Sequence, residues 1–167
     1  IFINHFLERI LTEYLKETGD FELLNDRQPF IEEGKSGTIL DHMVAVVSYA
    51  ENNLGKHGLP VFGRGDWNDT LDYIGGDEGG ESVWGGMFYA AMLNLLADMI
   101  RETGKTDFLN KVESVRDALY KAVDDNCWDG EWYIRAFGEK DRKVGSKDNK
   151  YGKIFLNTQI WPVIAGF

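Results

Sequence analysis

Apolar side chains recur at spacings of three and four over several stretches of the chain, and each such stretch predicts a helix with one buried face. In residues 2–17 the stripe is Phe2, Phe6, Ile10, Leu11 and Leu15, with Glu8, Arg9, Glu13 and Lys16 on the other side. Gly19 comes next as a residue suited to the left-handed turn that closes a helix. Asp20 is expected to cap a short second helix to about Leu24, which Pro29 ends. Residues 38–54 repeat the pattern with Leu40, Met43, Val44, Val47 and Ala50, capped by Thr38 or Ser36. The stretch from Ser82 to Ile100 is apolar nearly all round, so both of its faces are expected to be covered.

A further helix is predicted from about Lys105 to Val123. The triplet Glu17-Thr18-Gly19 recurs as Glu102-Thr103-Gly104, and Leu24-Asn25 as Leu109-Asn110. Repeated helix–turn–helix units of this kind suggest an all-α toroid or solenoid. The Asp129-Gly130 turn leads into alternating aromatic and polar residues, a short strand. Residues 138–152 read as a charged, glycine-containing connection, and from Asn157 another helix begins with Ile160, Trp161, Val163 and Ile164.

Residues 58–86 fit neither period. Gly, Asp, Trp and Glu crowd there into a long irregular loop between two helices, the kind of segment in which chemistry is usually kept. Inside it, Asp66-Trp67-Asn68-Asp69 sets two carboxylates around an indole and an amide, on a backbone loosened by Gly63 and Gly65. Such a loop can hold an acid beside a ring-shaped polar ligand.

Composition narrows the reading. The 167 residues, 43% hydrophobic and 13% aromatic, suffice for one domain with a sizeable core. A balance of 18 basic to 28 acidic residues, net −10, argues against nucleic acid or an anionic membrane surface as the main partner. The single cysteine, Cys127, allows no internal disulfide and points to a reducing, cytoplasmic setting. No apolar run is expected to approach the ~18–20 residues that span a bilayer. The start at Ile1, inside a helical pattern, suggests an excerpt of a longer chain. The histidines His5, His42 and His57 lack metal-ligand spacing, so no metal is expected. Asp77 and Glu78 lie in a glycine-rich run without the ligand order of a calcium loop.

Each candidate has two readings. A carboxyl at Asp69, beside an indole and sheltered by an apolar helix, would have its charged form disfavoured and could act as a general acid. Alternatively Asp66 or Asp69 caps the turn Thr70-Leu71-Asp72-Tyr73. Trp67 and Trp84 could each stack on a sugar ring or fill core; the polar loop favours ligand contact for Trp67, and the helix favours core for Trp84. Arg64 offers a planar donor fork for hydroxyls or phosphate. Glu81 is a second acidic candidate, or else a helix first-turn charge favoured by the dipole.

The chain resembles the inverting disaccharide phosphorylases of glycoside hydrolase family 94, the cellobiose and chitobiose phosphorylases. Gly58-Leu59-Pro60, Gly65-Asp66-Trp67-Asn68-Asp69, Gly80-Glu81-Ser82-Val83-Trp84, Trp128 to Ala136 and Ile154 to Trp161 carry the resemblance in order along nearly the whole chain. It implies a portion of an (α/α)6 barrel with a short strand or hairpin insertion, residues 1–167 being part of one catalytic domain truncated at both ends. It also implies that Asp69 is the general acid and that Trp67 lines the donor subsite. Arg64 would lie on the acceptor side, and Asp66 would shape the loop. Glu81, Gln159 and Trp161 are further substrate-binding candidates within the shared motifs.

The implied reaction is phosphorolysis of a β-linked disaccharide or oligosaccharide, with inorganic phosphate as co-substrate and no cofactor. Phosphate arrives anionic and needs no catalytic base, whereas an inverting hydrolase needs a second carboxylate. The phosphate ligands are expected outside these residues, so the fragment alone is expected to be inactive. The full-length protein is expected to be a homodimer. Two other readings stay open: an inverting hydrolase with Glu81 as base, and a non-catalytic scaffold in which Asp69 is an exposed cap with no cleft around it.

Overall fold

The structure, a computed structural model, describes residues 2–63, 65–76 and 79–167, and the side chains of all of these except 2–7 and 70. Arg64, Asp77 and Glu78, and the side chains of Phe2, His5 and Phe6, therefore lie outside the described residues.

Helix α1 (Phe2–Thr18) and helix α3 (Val83–Thr103) end in the same device. Gly19 and Gly104 both have φ +68°, and the hydroxyls of Thr18 and Thr103 bond back to the carbonyls of Tyr14 (2.8 Å) and Ile100 (2.7 Å). The Glu-Thr-Gly repeat is thus a repeated helix stop. The two continuations differ. After Gly104 the chain enters helix α4 (Thr106–Asn126), whereas after Gly19 it makes only a 3-10 turn, Phe21–Asn25. Asp20 precedes that turn without a side-chain capping bond, and Pro29 lies not at a helix end but in a hairpin. The hairpin strands β1 (Arg27–Pro29) and β2 (Ser36–Thr38) pair antiparallel, with Gln28 opposite Gly37.

Helix α2 (Ile39–Glu51) begins in a capping box: the Thr38 hydroxyl accepts the Asp41 N–H and the Asp41 carboxylate accepts the Thr38 N–H. Strand β3 (Glu81–Ser82) leads into α3, and a hairpin of β4 (Ala136–Phe137) and β5 (Lys143–Val144) pairs with it in the order β3-β4-β5. Helix α5 (Asn157–Ala165) closes the chain, stopped by Gly166 at φ +81°.

Helix α3 is the axis of the packing, touched by α1, α4 and α5. Met87, Tyr89, Ala90, Leu93, Leu96 and Ile100 are all buried to 1% or less, as the all-round apolar pattern requires. Contrary to the sequence expectation, α3 is long and apolar enough to cross a membrane, but 83% of its apolar window is buried against this chain. Its apolar surface therefore fills a protein core. On α1 the expected stripe is rotated: Ile10 is 65% exposed, while Glu8, Thr12 and Leu15 face inward. Thr12 tolerates burial because its hydroxyl bonds to the Glu8 carbonyl at 2.8 Å.

Candidate active site

The loop between α2 and β3 is held at its base like a short ribbon. Phe62 N–H donates to the Gly80 carbonyl (2.8 Å) and Ser82 N–H to the Pro60 carbonyl (2.9 Å), so residues 60–62 run antiparallel to 80–82. From this base the loop carries Asp66 to Asp69 over the N-terminal end of α3.

The two aspartates of the motif part company. Asp66 is buried at 7% exposure, and each of its oxygens is engaged. Oδ1 accepts the Asn68 N–H (2.9 Å) and the Arg135 guanidinium, and Oδ2 accepts the Ser82 hydroxyl (3.2 Å). Arg135 is itself fully buried, on the residue before β4, and its Nη1 donates to Ser82 Oγ (3.2 Å). Ser82 Oγ also accepts the Gly85 N–H (3.0 Å) as the cap of α3, so this one hydroxyl spends its donor and both lone pairs. Burial pulls the Arg135 pKa below its ordinary value, and the Asp66 charge works against that pull. Asp66 therefore shapes the loop by accepting the Asn68 N–H two residues on; the backbone N–H it accepts lies before the turn Thr70-Leu71-Asp72-Tyr73, not within it.

Asp69 starts a 3-10 turn, Asp69–Leu71, and is exposed; among the described residues none donates a hydrogen bond to its carboxylate. The expected shelter over Asp69 is absent among the described residues, because the turn lifts it to a cavity's rim. That cavity, about 650 Å3, is lined by the loop residues Trp67, Asn68 and Asp69, by Trp84 and Phe88 of α3, by Asn157 and Trp161 of α5 and by Arg9 of α1. Its aromatic wall is continuous. Ring centroids lie 6.3 Å apart for Trp67 and Trp84, 5.6 Å for Trp84 and Phe88, and 5.1 Å for Phe88 and Trp161, the last edge to face. Trp67 is 62% exposed, an open platform, whereas Trp84 is 4% exposed and is both core and cavity floor.

Two sequence candidates lie away from this cavity. Glu81, expected at a ligand, as a base or in a helix first turn, lies in β3 and does not line the cavity. Its buried carboxylate accepts the backbone N–H groups of His57 (3.0 Å) and Leu59 (3.1 Å) and lies 2.7 Å from His57 Nδ1. A Cβ on Gly55 would stand 2.4 Å from Glu81 Cδ, so that glycine leaves the carboxylate its room. Gln159 likewise does not line the cavity. Its amide nitrogen donates to the carbonyls of Tyr133 (2.8 Å) and Phe155 (3.2 Å), and its oxygen accepts the Tyr133 N–H (3.2 Å). It ties α5 to the segment leading into β4.

Arg9, Phe88 and Asn157 were missed as lining residues. Arg9 and Phe88 read from spacing as an outer-face charge and a core residue, and nothing in their local pattern signals a shared cavity. Among the described residues no three His, Cys, Asp or Glu side chains gather as a metal site.

The model of the glycosyl hydrolase 94 superfamily catalytic domain matches residues 4–167. The chain belongs to that family. Within it, the chain is 40% identical over 154 residues to a solabiose phosphorylase of Paenibacillus borealis, covering 92% of this chain and 20% of that protein. It is 34% identical over 156 residues to a 3-O-beta-D-glucopyranosyl-beta-D-glucuronide phosphorylase of the same species, covering 93% of this chain and 20% of that protein. To a cellobionic acid phosphorylase of Neurospora crassa the identity is 31% over 156 residues, again 93% and 20%. The chain thus spans about a fifth of the length of these curated relatives. Its mainly helical build, with α3 enclosed by α1, α4 and α5, is that of a portion of the glycosyl hydrolase 94 helical barrel.

Proposed function

We propose that these residues form a central portion of the catalytic domain of an inverting disaccharide phosphorylase, with Asp69 as its general acid. The observation that carries the reading is the division of labour in one motif: Asp66 is locked into a buried ion pair, while Asp69 stands at an aromatic-walled cavity of about 650 Å3. In this reading the glycosyl ring stacks against Trp67, with Trp84, Phe88 and Trp161 as the apolar wall behind it. Asp69 gives its proton to the glycosidic oxygen as that oxygen's bond to the anomeric carbon breaks. A phosphate oxygen forms the new bond from the opposite face, leaving an α-sugar 1-phosphate and the shortened acceptor. No base is needed, and the retirement of Glu81 into the loop support fits this better than it fits a hydrolase.

The substrate class is a β-linked glucosyl or N-acetylglucosaminyl disaccharide or oligosaccharide, with inorganic phosphate as co-substrate. A named phosphorylase activity among three relatives at 31–40% identity supports the class and leaves the linkage open. Arg64, the residue before the motif Gly65-Asp66-Trp67-Asn68-Asp69, is assigned to the acceptor side. The reading carries a cytoplasmic setting, a homodimeric full-length protein and no activity in these residues expressed alone.

The experiment is release of sugar 1-phosphate by the full-length protein from a panel of β-linked disaccharides, with and without phosphate. Asp69→Asn should lower the phosphate-dependent rate by about 10²–10⁴-fold. Reducing sugar released without phosphate would move the assignment to hydrolysis.

A further inference from the structure

The phosphorolysis reading requires Asp69 to reach one oxygen of a bound sugar, yet its carboxylate is held by no hydrogen bond among the described residues. Among the described residues, what fixes its position is the backbone. That backbone closes on Asp66: the Asn68 N–H donates to Asp66 Oδ1, the Leu71 N–H to the Asn68 carbonyl (2.8 Å) and the Asp72 N–H to the Asp69 carbonyl (3.2 Å). The ring is completed by the Asp66 N–H, which donates to Asp72 Oδ1 at 3.1 Å. Asp69 therefore rides on a turn whose fixed point is the Asp66 carboxylate.

The counter-charge of that fixed point is Arg135, far along the chain. Its guanidinium joins Asp66 and Ser82, and its Cζ lies 5.7 Å from the centroid of the Trp84 ring that floors the cavity. One buried cation thus joins the anchor of the acid loop to the cap of α3 and lies beside the indole that floors the cavity. A buried ion pair returns little net stability, because desolvation consumes most of the attraction. A fixed geometry is what such a pair supplies.

We propose that Arg135 is a positioning residue for catalysis: through Asp66 it sets the place of the Asp69 carboxyl against the sugar bound on the aromatic wall. This rests on the reading of Asp69 as general acid. The proton still moves from Asp69 to the leaving oxygen and the glycosyl group to phosphate; Arg135 exchanges nothing.

The test is a double-mutant cycle in the full-length protein, on the disaccharide the wild type turns over fastest. Arg135→Lys keeps the charge and loses the planar fork, and Asp66→Asn keeps the shape and loses the charge. Displacing a reacting group by about 1 Å costs on the order of 10²-fold, so each should lower kcat by about that factor. KM for disaccharide and phosphate should stay within about threefold, since ground-state binding is left in place. In an Asp69→Asn background, followed by prolonged incubation, neither substitution should lower the residual rate further. Equal losses in both backgrounds, an unchanged kcat in the wild-type background, or loss of folding by both variants on a thermal melt would overturn the proposal. Should Asp69→Asn alone keep the wild-type rate, it is the acid assignment that fails, and the single variant reports that separately.

Discussion

Glu81 holds His57 twice, by the backbone N–H at 3.0 Å and by ring Nδ1 at 2.7 Å. The imidazole is also stacked on Phe137, with centroids 3.9 Å apart, so the grip joins the loop after α2 to β4. Glu81→Gln would point an amide N–H₂ at groups that are themselves donors. Replacing a buried charged acceptor in this way should cost about 2–4 kcal/mol. Calorimetry of the full-length protein should show the loss as a lower Tm, while kcat per folded molecule and its pH profile stay as in the wild type. A changed pH profile would return Glu81 to the chemistry.

Trp67 and Trp84 face one cavity with opposite exposures, 62% and 4%, and this separates their effects. Trp67→Ala removes an exposed platform and should leave the Tm within about a degree, since surface changes are worth about 0.5 kcal/mol or less. It should raise KM for the disaccharide about tenfold, or ~1.4 kcal/mol of binding. Trp84→Ala empties part of the core it shares with Phe88 and should cost about 3–5 kcal/mol of stability. Steady-state kinetics beside a thermal melt of each variant distinguishes the two.

The long helices were legible because their apolar residues recur with the helical period, whereas the short one expected after Asp20 is only a 3-10 turn; α3 was legible as central because it is apolar on every face. The stripe of α1 was misread at Ile10 and Glu8, since period locates a face but not which polar residues the neighbours can accommodate. The pairing of β3 with β4, or of Asp66 with Arg135, has no local signal. Two residues 69 positions apart in sequence meet only through the tertiary arrangement of the loop base, β4 and α3. The motif Asp66-Trp67-Asn68-Asp69 was readable as a site, but its two carboxylates looked alike until one was seen to have a buried cation. Arg9, read as a solvent-facing charge, reaches the cavity because α1 runs beside α3.

Asp129 gives the chain an acid-sensitive link. Its side chain is 4% exposed, and desolvation works to raise its pKa. The Lys147 N–H at 2.7 Å, the Ser146 side chain and the charges of Lys147 and Lys143 outweigh that and hold it below the usual carboxylate value. A carboxyl with a depressed folded pKa contributes stability that is complete above its unfolded pKa of about 3.9 and is lost as pH falls from there through the folded value. Asp129→Asn should therefore lower the Tm at pH 7 and narrow its gap to the wild type as pH is taken below about 4. A gap that stays constant over that range would show the link to be uncharged in its effect.

Cys127 closes α4 and is fully buried between Val123 and Ile134, and the physics of its surroundings decides its reactivity. Burial, helped by the nearby negative charge of Glu81, pushes its thiol pKa up to about 12. The thiolate is the reactive form, so at pH 8 only on the order of one thiol in 10⁴ is ionised, and the sulfur is also out of reach of reagents. Ellman's reagent should accordingly leave Cys127 unmodified in the native protein and titrate it once denaturant is added. Because Cys127 belongs to the same apolar cluster as Leu59 and Met87, and its thiol has only a long contact, 3.9 Å, to the Ala122 carbonyl, Cys127→Ser would bury a hydroxyl with a poor partner and should cost about 1–3 kcal/mol, while Cys127→Ala should cost less. Rapid native labelling at pH 8 would mean that the α4 end opens far more readily than its packing implies.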